Sequence, residues 1–272
     1  MSTAVRPGSA TPSDRPAAHG RDGRDLREAN QGREPVSTRF MRAISRGMGE
    51  RRSYHAPEVY GRAAIGRIAR ELPLIERAYA NIRFSILRPK LLSVMDLLLP
   101  DEGRILDIGC GFGLFAAYFG QTQPARRIVG VDPDARRVDM ARRVCSGLGL
   151  DNTFIAGDAR DVALEGTFAG AYVLDVMHHI PAADQLPMLE RLRDLLAPRG
   201  VLVIKDITTE PYFGLKFTEY MDRAMVGWNE PLGYRHHREW GEMLTALGFH
   251  VRMVRVPDVL PYPHVVIAAT KQ

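Results

Sequence analysis

The chain of 272 residues has few cysteines and no long apolar run. Cys110 and Cys145 are its two cysteines, and no Cys-x-x-Cys pair occurs, so the sequence offers neither a disulfide framework nor a cysteine-rich zinc site. Apolar runs such as that at 201–204 are far shorter than the ~20 residues that a membrane-spanning helix needs. These absences predict a cytoplasmic protein without an integral membrane segment.

Most of the chain carries no excess of positive charge. The net charge is +5, and residues 1–52 alone hold eleven Arg against six acidic residues. The rest of the chain is neutral, with 26 basic and 26 acidic residues. A neutral body argues against a protein built around a nucleic-acid groove, so no nucleic-acid partner is predicted.

Composition and periodicity divide the chain into three parts. Residues 1–37 are rich in Gly, Pro, Ser, Ala and Arg, which predicts a disordered basic tail, with a partner-binding arm as the alternative. Residues 38–99 predict a helical N-terminal extension or cap, because apolar side chains recur there at helical spacing. Residues 100–272 alternate short apolar strands with amphipathic helices, which is typical of a parallel sheet covered on both faces.

A glycine-rich turn follows the first of these strands. Residues 104–113 are Arg-Ile-Leu-Asp-Ile-Gly-Cys-Gly-Phe-Gly. Gly109, Gly111 and Gly113 allow the backbone to turn sharply and allow a ligand to lie against it. A dinucleotide-binding loop has its third glycine one position later, where this chain has Leu114. The loop therefore predicts a ligand site, but its spacing disfavours a dinucleotide.

Carboxylates follow the next three strands. Asp132 closes the second strand, where a carboxylate accepts hydrogen bonds from both hydroxyls of a ribose. Asp158 and Ala159 follow the third strand and suit an adenine ring, through the carboxylate and a backbone N–H. Asp175 closes the fourth strand. Asp134 is better placed to cap the next helix than to bind a ligand.

The order of these motifs resembles that of class I S-adenosylmethionine-dependent methyltransferases. The motifs are, in order, Asp107-x-Gly109-x-Gly111-x-Gly113, Asp132, Asp158-Ala159, Leu174-Asp175-Val-Met-His-His, and Leu196-Ala-Pro-Arg-Gly200-Val-Leu-Val-Ile. The resemblance implies an α/β fold with a Rossmann-like, doubly wound sheet of seven strands, mostly parallel, that ends in an antiparallel hairpin. It also implies S-adenosylmethionine as the cofactor. The residues implied to bind it are Asp107, Gly109, Cys110, Gly111, Gly113, Asp132, Pro133, Asp158, Ala159 and Asp175.

The resemblance implies transfer of a methyl group to a small organic or lipid-like acceptor. A hydroxyl oxygen is favoured, because histidines are available as bases, and C- or N-methylation are the alternatives. His178 and His179 follow the fourth strand beside the expected methyl position, and only one of two adjacent side chains can face the cleft. Asp206 and the pair at 236–237 are further candidates at the same edge.

An aromatic insertion at about 208–235 is implied to form a lid over the acceptor, and its apolar character favours an organic acceptor over a nucleic acid. Two other functions stay open on the sequence. A nicotinamide-dependent oxidoreductase lacks this glycine spacing and leaves Asp158 and Ala159 unexplained, while a ligand-sensing module would bind the cofactor without turnover. No metal site is predicted, because the tandem histidines lack neighbouring acidic ligands.

Overall fold

The computed structural model describes residues 57–226, 232–256 and 262–272. The predicted disordered tail at 1–37 lies outside these ranges, as do the start of the predicted helical extension and residues 227–231 of the predicted lid. The division of the chain into tail, extension and methyltransferase part therefore stays a prediction.

Three helices precede the sheet: α1 Pro57–Glu71, α2 Leu74–Ile86 and α3 Pro89–Leu98. Prolines separate them, because a proline fits the start of a helix and ends the helix before it. Pro73 is the N-cap of α2, and Pro89 occupies the first turn of α3. Helix α1 packs against α3 and against the first helix of the sheet domain.

In the described part of the chain, seven strands form one sheet in the order β3-β2-β1-β4-β5-β7-β6. Strands β1 to β5 run parallel, and β7 is antiparallel to both β5 and β6. This arrangement confirms the predicted Rossmann-like sheet and its antiparallel C-terminal hairpin. The strands are β1 Gly103–Ile108, β2 Arg126–Asp132, β3 Thr153–Ala156, β4 Phe168–Leu174, β5 Leu196–Ile207, β6 Phe249–Arg255 and β7 His264–Lys271.

Helices cover both faces of the sheet, so its central strands are buried on both sides. Ala171, Tyr172 and Val173 are consecutive in β4 and almost fully buried, as expected of a parallel strand between helical layers. The covering elements are α4 Leu114–Thr122, α5 Ala135–Gly147, a short 3₁₀ turn at Met177–His179, α6 Ala182–Leu195, α7 Tyr212–Val226 and α8 His237–Ala246.

The direction of strand succession reverses between β1 and β4. The chain proceeds outward from β1 to β2 and β3, and then returns to β4 on the other side of β1. Open parallel sheets bind ligands in the crevice that this reversal leaves at the carboxyl ends of the strands. Ile108 pairs with Val131 on one side and Val173 on the other, so the motifs that follow β1, β2 and β4 meet at that edge.

Candidate active site

The glycine loop at the end of β1 uses three left-handed backbone conformations. Gly109, Gly111 and Gly113 have φ values of 74°, 50° and 72°. A Cβ at Gly109 would collide with Val176, whereas a Cβ at Gly111 would have no atom within 4 Å. Gly109 is therefore needed for close packing, and Gly111 borders open space where a ligand can approach the backbone.

Asp107 lies beneath this loop with only 2% of its surface exposed. Burial raises the pKa of its carboxyl group to about 7; the Tyr172 hydroxyl opposes the rise and the charge of Asp132 adds to it. Its Oδ2 atom has no hydrogen-bond partner within the described ranges. Buried polar atoms are normally hydrogen-bonded, so this oxygen fits a donor supplied by a ligand, such as an ammonium group.

Cys110 is a packing residue of the loop. Its side chain is buried, and burial raises the pKa of its thiol well above the usual range. A Cβ at Gly130 would lie 2.8 Å from the Cys110 Cβ, so a side chain at position 130 would not fit beside Cys110.

Asp132 joins the end of β2 to the glycine loop. Its Oδ2 accepts a hydrogen bond from the Gly111 N–H at 2.9 Å, and its Oδ1 accepts one from the Asp134 N–H at 3.0 Å. Each carboxylate oxygen has a second lone pair, which can accept a ribose hydroxyl. Asp134 caps α5, because its side chain accepts hydrogen bonds from the N–H groups of Arg136 and Arg137. Pro133 stands between the two aspartates, where the chain leaves β2.

Asp158 forms an ion pair beside the predicted adenine position. Its carboxylate accepts from the Arg160 N–H at 2.8 Å and from the Arg160 guanidinium, which lowers its pKa. Arg160 also contacts Asp184 of α6. The Ala159 carbonyl accepts from Arg191 Nε at 2.9 Å, which ties this loop to α6. To bind an adenine amino group, Asp158 must share its carboxylate with Arg160.

Asp175 is held between two cations at the end of β4. Its backbone is left-handed, with φ 52°, and its carboxylate accepts from Lys205 Nζ and, at 3.2 Å, from Arg83 Nη2. Burial alone would raise the pKa of Asp175, but the charges of Lys205 and Arg83 hold it well below its usual range. Asp175 therefore stays ionised and is unsuited to be a base.

Sequence reasoning missed Lys205 and Arg83. The Lys205 side chain is fully buried, and burial lowers its pKa while Asp175 opposes the change. A lysine at the end of an apolar strand was the available signal for Lys205. Nothing in the pattern of α2 distinguished Arg83 from the other arginines of the helical extension.

His178 and Asp206 form a buried pair at the ends of β4 and β5. The His178 Nδ1 atom lies 2.5 Å from Asp206 Oδ1, and the two side chains are 2% and 1% exposed. A carboxylate can only accept a hydrogen bond, so Nδ1 carries the hydrogen; when the imidazole is neutral, Nε2 carries a lone pair. Tyr234 stacks on the imidazole with ring centroids 5.0 Å apart. The pair has the arrangement of a base and the carboxylate that orients it.

His179 is half-buried, and its ring lies 4.2 Å from that of His178. Burial, and then the charge of His178, lower the pKa of His179 to about 4. The imidazole is therefore neutral at pH 7, and it is a weaker base than an ordinary histidine. The structure thus brings both predicted histidines to the carboxyl edge of the sheet, in different surroundings.

The histidines at 236 and 237 have structural contacts. His236 is the N-cap of α8, where it accepts from the Arg238 N–H and forms a capping box with Glu239. His237 Nδ1 lies 2.9 Å from the Thr208 hydroxyl. These contacts give both histidines a structural role at the start of α8.

His264 is a third histidine of the cluster, and sequence reasoning missed it. It begins β7, pairs with Ile207 of β5, and stacks on Tyr262 with ring centroids 5.2 Å apart. Burial, and then the charge of Lys205, lower its pKa to about 3. His264 therefore adds a neutral imidazole to the same edge of the sheet.

Two other kinds of site are absent from the described residues. No helix among them has the length and apolar character to cross a membrane. Across the same ranges, no three His, Cys, Asp or Glu side chains converge in the manner of a metal site.

Parts of the chain are similar to known methyltransferases. Residues 105–200 match a family described as a methyltransferase domain. The chain is 34% identical over 119 residues to a ubiquinone biosynthesis O-methyltransferase of Cereibacter sphaeroides, a match that covers 42% of this chain and 45% of that protein. It is 41% identical over 61 residues to ribosomal RNA small subunit methyltransferase C of Stutzerimonas stutzeri, covering 22% of this chain and 18% of that protein. Because that relative is named for ribosomal RNA, the absence of a nucleic-acid partner stays a prediction.

A solved structure shares the fold. It is an S-adenosylmethionine-dependent methyltransferase of Thermotoga maritima, described as a possible histamine N-methyltransferase, with a TM-score of 0.56 and 22% identity; the match covers 76% of this chain and 99% of that one. The chain spans less than half the length of the curated relatives named above. The fold and the motif order agree with the match of residues 105–200 to a methyltransferase domain.

Proposed function

We propose that the chain moves a methyl group from S-adenosylmethionine to a hydroxyl oxygen of a small organic or lipid-like acceptor. The observation that carries the proposal is the buried contact of His178 with Asp206 at the carboxyl edge of β4 and β5. A hydroxyl is a poor nucleophile until it loses its proton, and an imidazole oriented by a carboxylate is suited to accept that proton. The name of the Cereibacter sphaeroides relative, an O-methyltransferase, also supports an oxygen acceptor.

The residues around the glycine loop fit the cofactor. Asp107 offers a buried carboxylate oxygen to an ammonium group, the open side of Gly111 leaves room beside the backbone, and Asp132 has lone pairs left for a ribose. Asp158 and Ala159 would hold the adenine. Bound S-adenosylmethionine supplies an electrophilic methyl group.

The chain's own contribution to the reaction is to position the acceptor and to remove its proton. His178 would accept the hydroxyl proton at Nε2 while Asp206 stabilises the positive charge at Nδ1. Lys205 and Arg83 keep Asp175 ionised and in place, so the wall next to the base does not compete for that proton. Tyr234, which covers the His178 ring, belongs to the predicted lid and would exclude water from the base.

The direct test is a screen of hydroxylated aromatic compounds, with and without a long apolar chain, using a donor with a labelled methyl group. Fragmentation of the product then locates the label. Label on oxygen supports the proposal, and label on nitrogen or carbon supports the alternative of N- or C-methylation. Donor binding without any transfer would instead indicate a ligand-sensing module.

A further inference from the structure

Helix α2 has an apolar stripe that faces solvent. Leu74 and Ile75 are 79% and 82% exposed, and Ile82 is 52% exposed. Leu74, Ala78 and Ile82 are four residues apart in sequence, so they lie on one side of the helix. Single exposed apolar side chains are ordinary, but a contiguous apolar stripe on a helix is typical of an interaction surface.

The side of α2 next to this stripe contacts the candidate active site. Arg83 donates to Asp175 at 3.2 Å, and Tyr79 packs edge-on against Phe112 of the glycine loop, with ring centroids 5.3 Å apart. The exposed stripe therefore adjoins the residues of α2 that contact the candidate site.

Helix α7 repeats this arrangement at the same edge of the sheet. Phe217 packs against Tyr262, which lies two residues before β7, with ring centroids 5.2 Å apart. Tyr212, Phe213 and Tyr220 are exposed at 69%, 74% and 57%. The outer apolar surface is the set Leu74, Ile75, Ile82, Tyr212, Phe213 and Tyr220.

The charge of the helical extension complements an anionic surface. Residues 57–99 contain seven basic and four acidic residues, whereas residues 100–272 contain 19 basic and 22 acidic residues. Arg70 and Lys90, which lie beyond the two ends of α2 in the sequence, are exposed. An amphipathic helix with an apolar stripe and basic neighbours binds the interface of anionic bilayers without crossing them.

We propose that the outer apolar surface docks on an anionic phospholipid bilayer, with α2 and α7 lying against the lipid and the candidate active site above them. This inference goes beyond the proposed reaction, because docking needs neither donor nor acceptor. A bilayer would bury the apolar side chains, and its negative charge would attract the basic extension.

The experiment is flotation of the full-length protein with phosphatidylcholine vesicles, prepared with and without phosphatidylglycerol. We expect the wild type to float with the anionic vesicles and to be released by high salt. The double variant Leu74→Asp/Ile75→Asp should lower the bound fraction at least about tenfold, because it places charge on the inserted stripe. The matched control is Leu186→Asp on α6, which also changes a partly exposed leucine but lies outside the outer apolar surface, and it should float like the wild type.

Three results would overturn the proposal. The wild type could stay in the bottom fraction with every vesicle. The double variant could float as well as the wild type, which would assign binding to the basic residues of segment 1–52. Finally, the wild type could be a dimer that the double variant converts to a monomer without any vesicle binding, which would make a second copy the occupant. Unchanged donor affinity in both variants shows that they are folded, and methyl transfer is not needed for any of these readings.

Discussion

Replacing Asp206 with asparagine separates the negative charge of the carboxylate from its role as a hydrogen-bond acceptor. Its Oδ1 atom lies 2.5 Å from His178 Nδ1 and accepts from the Ile207 N–H at 2.7 Å. In the Asp206→Asn variant, the amide oxygen should occupy this position, because an NH₂ group there would face two donors. We therefore expect His178 to keep its hydrogen on Nδ1, and only the negative charge to be lost.

The expected loss follows from the strength of that contact. A hydrogen bond to a charged partner contributes about 1.5–3 kcal/mol, against about 0.5–1.5 kcal/mol for a neutral one. The difference of about 1–2 kcal/mol corresponds to about a 5- to 30-fold lower kcat. The loss falls on kcat because His178 carries a positive charge only after it has taken the acceptor proton, and donor affinity should stay unchanged.

The assay is single-turnover methyl transfer from labelled donor, with calorimetric titration of S-adenosylhomocysteine and thermal unfolding measured in parallel. Asp206→Leu is the companion variant; it removes the acceptor and leaves two buried N–H groups unsatisfied, so both kcat and Tm should fall further. An unchanged kcat in the Asp206→Asn protein would refute the base mechanism. A fall in donor affinity together with Tm would instead assign Asp206 a structural role.

Three further expectations concern the donor site and the helical extension. The pKa of Asp107 is raised to about 7, so the carboxyl group becomes ionised, and able to pair with a ligand ammonium, between about pH 6 and about pH 8. The Kd of S-adenosylhomocysteine should therefore fall about tenfold over this range, and Asp107→Asn should abolish the dependence. Asp132→Ala should weaken donor binding by about 30- to 150-fold, whereas the control Asp134→Ala should cost about 1 kcal/mol of stability and leave the calorimetric Kd unchanged. Arg83→Ala should raise the KM for the acceptor about tenfold without changing donor affinity. The control is Arg77→Ala on the same helix; the Arg77 guanidinium donates to the Leu72 carbonyl, so this variant should leave steady-state kinetics unaltered.

The sequence predicted candidate site residues best where they end a strand or directly follow one. Apolar runs identify the parallel strands, and the carboxyl ends of such strands meet at one edge of the sheet. His178 and Asp206 could therefore both be predicted as candidates, because they follow or end strands that the fold brings side by side. The direct contact between them could not be predicted, since it depends on the 3₁₀ turn that redirects the chain after β4.

Other members of the cluster depend on packing that local patterns do not encode. Helix α2 contains Arg77 and Arg83, and only the docking of this helix on the sheet decides which of them reaches Asp175. His264 reaches the site because β7 inserts antiparallel between β5 and β6, so the first residue of β7 meets the last residue of β5. Neither position has a signature in the sequence, because each depends on the register between segments far apart in the chain.

The alternation of side chains along β5 explains how one strand supports two different contacts of the candidate site. Lys205 and Asp206 are consecutive, so their side chains leave opposite faces of the sheet: one contacts Asp175 and the other His178. A buried imidazole that gains a proton needs a compensating charge, and the Asp206 carboxylate provides it to His178. His179 has a pKa lowered to about 4 and holds a proton poorly near neutral pH. For this reason we expect His178, the more buried of the two, to be the base, once movement of Tyr234 opens its ring to the acceptor.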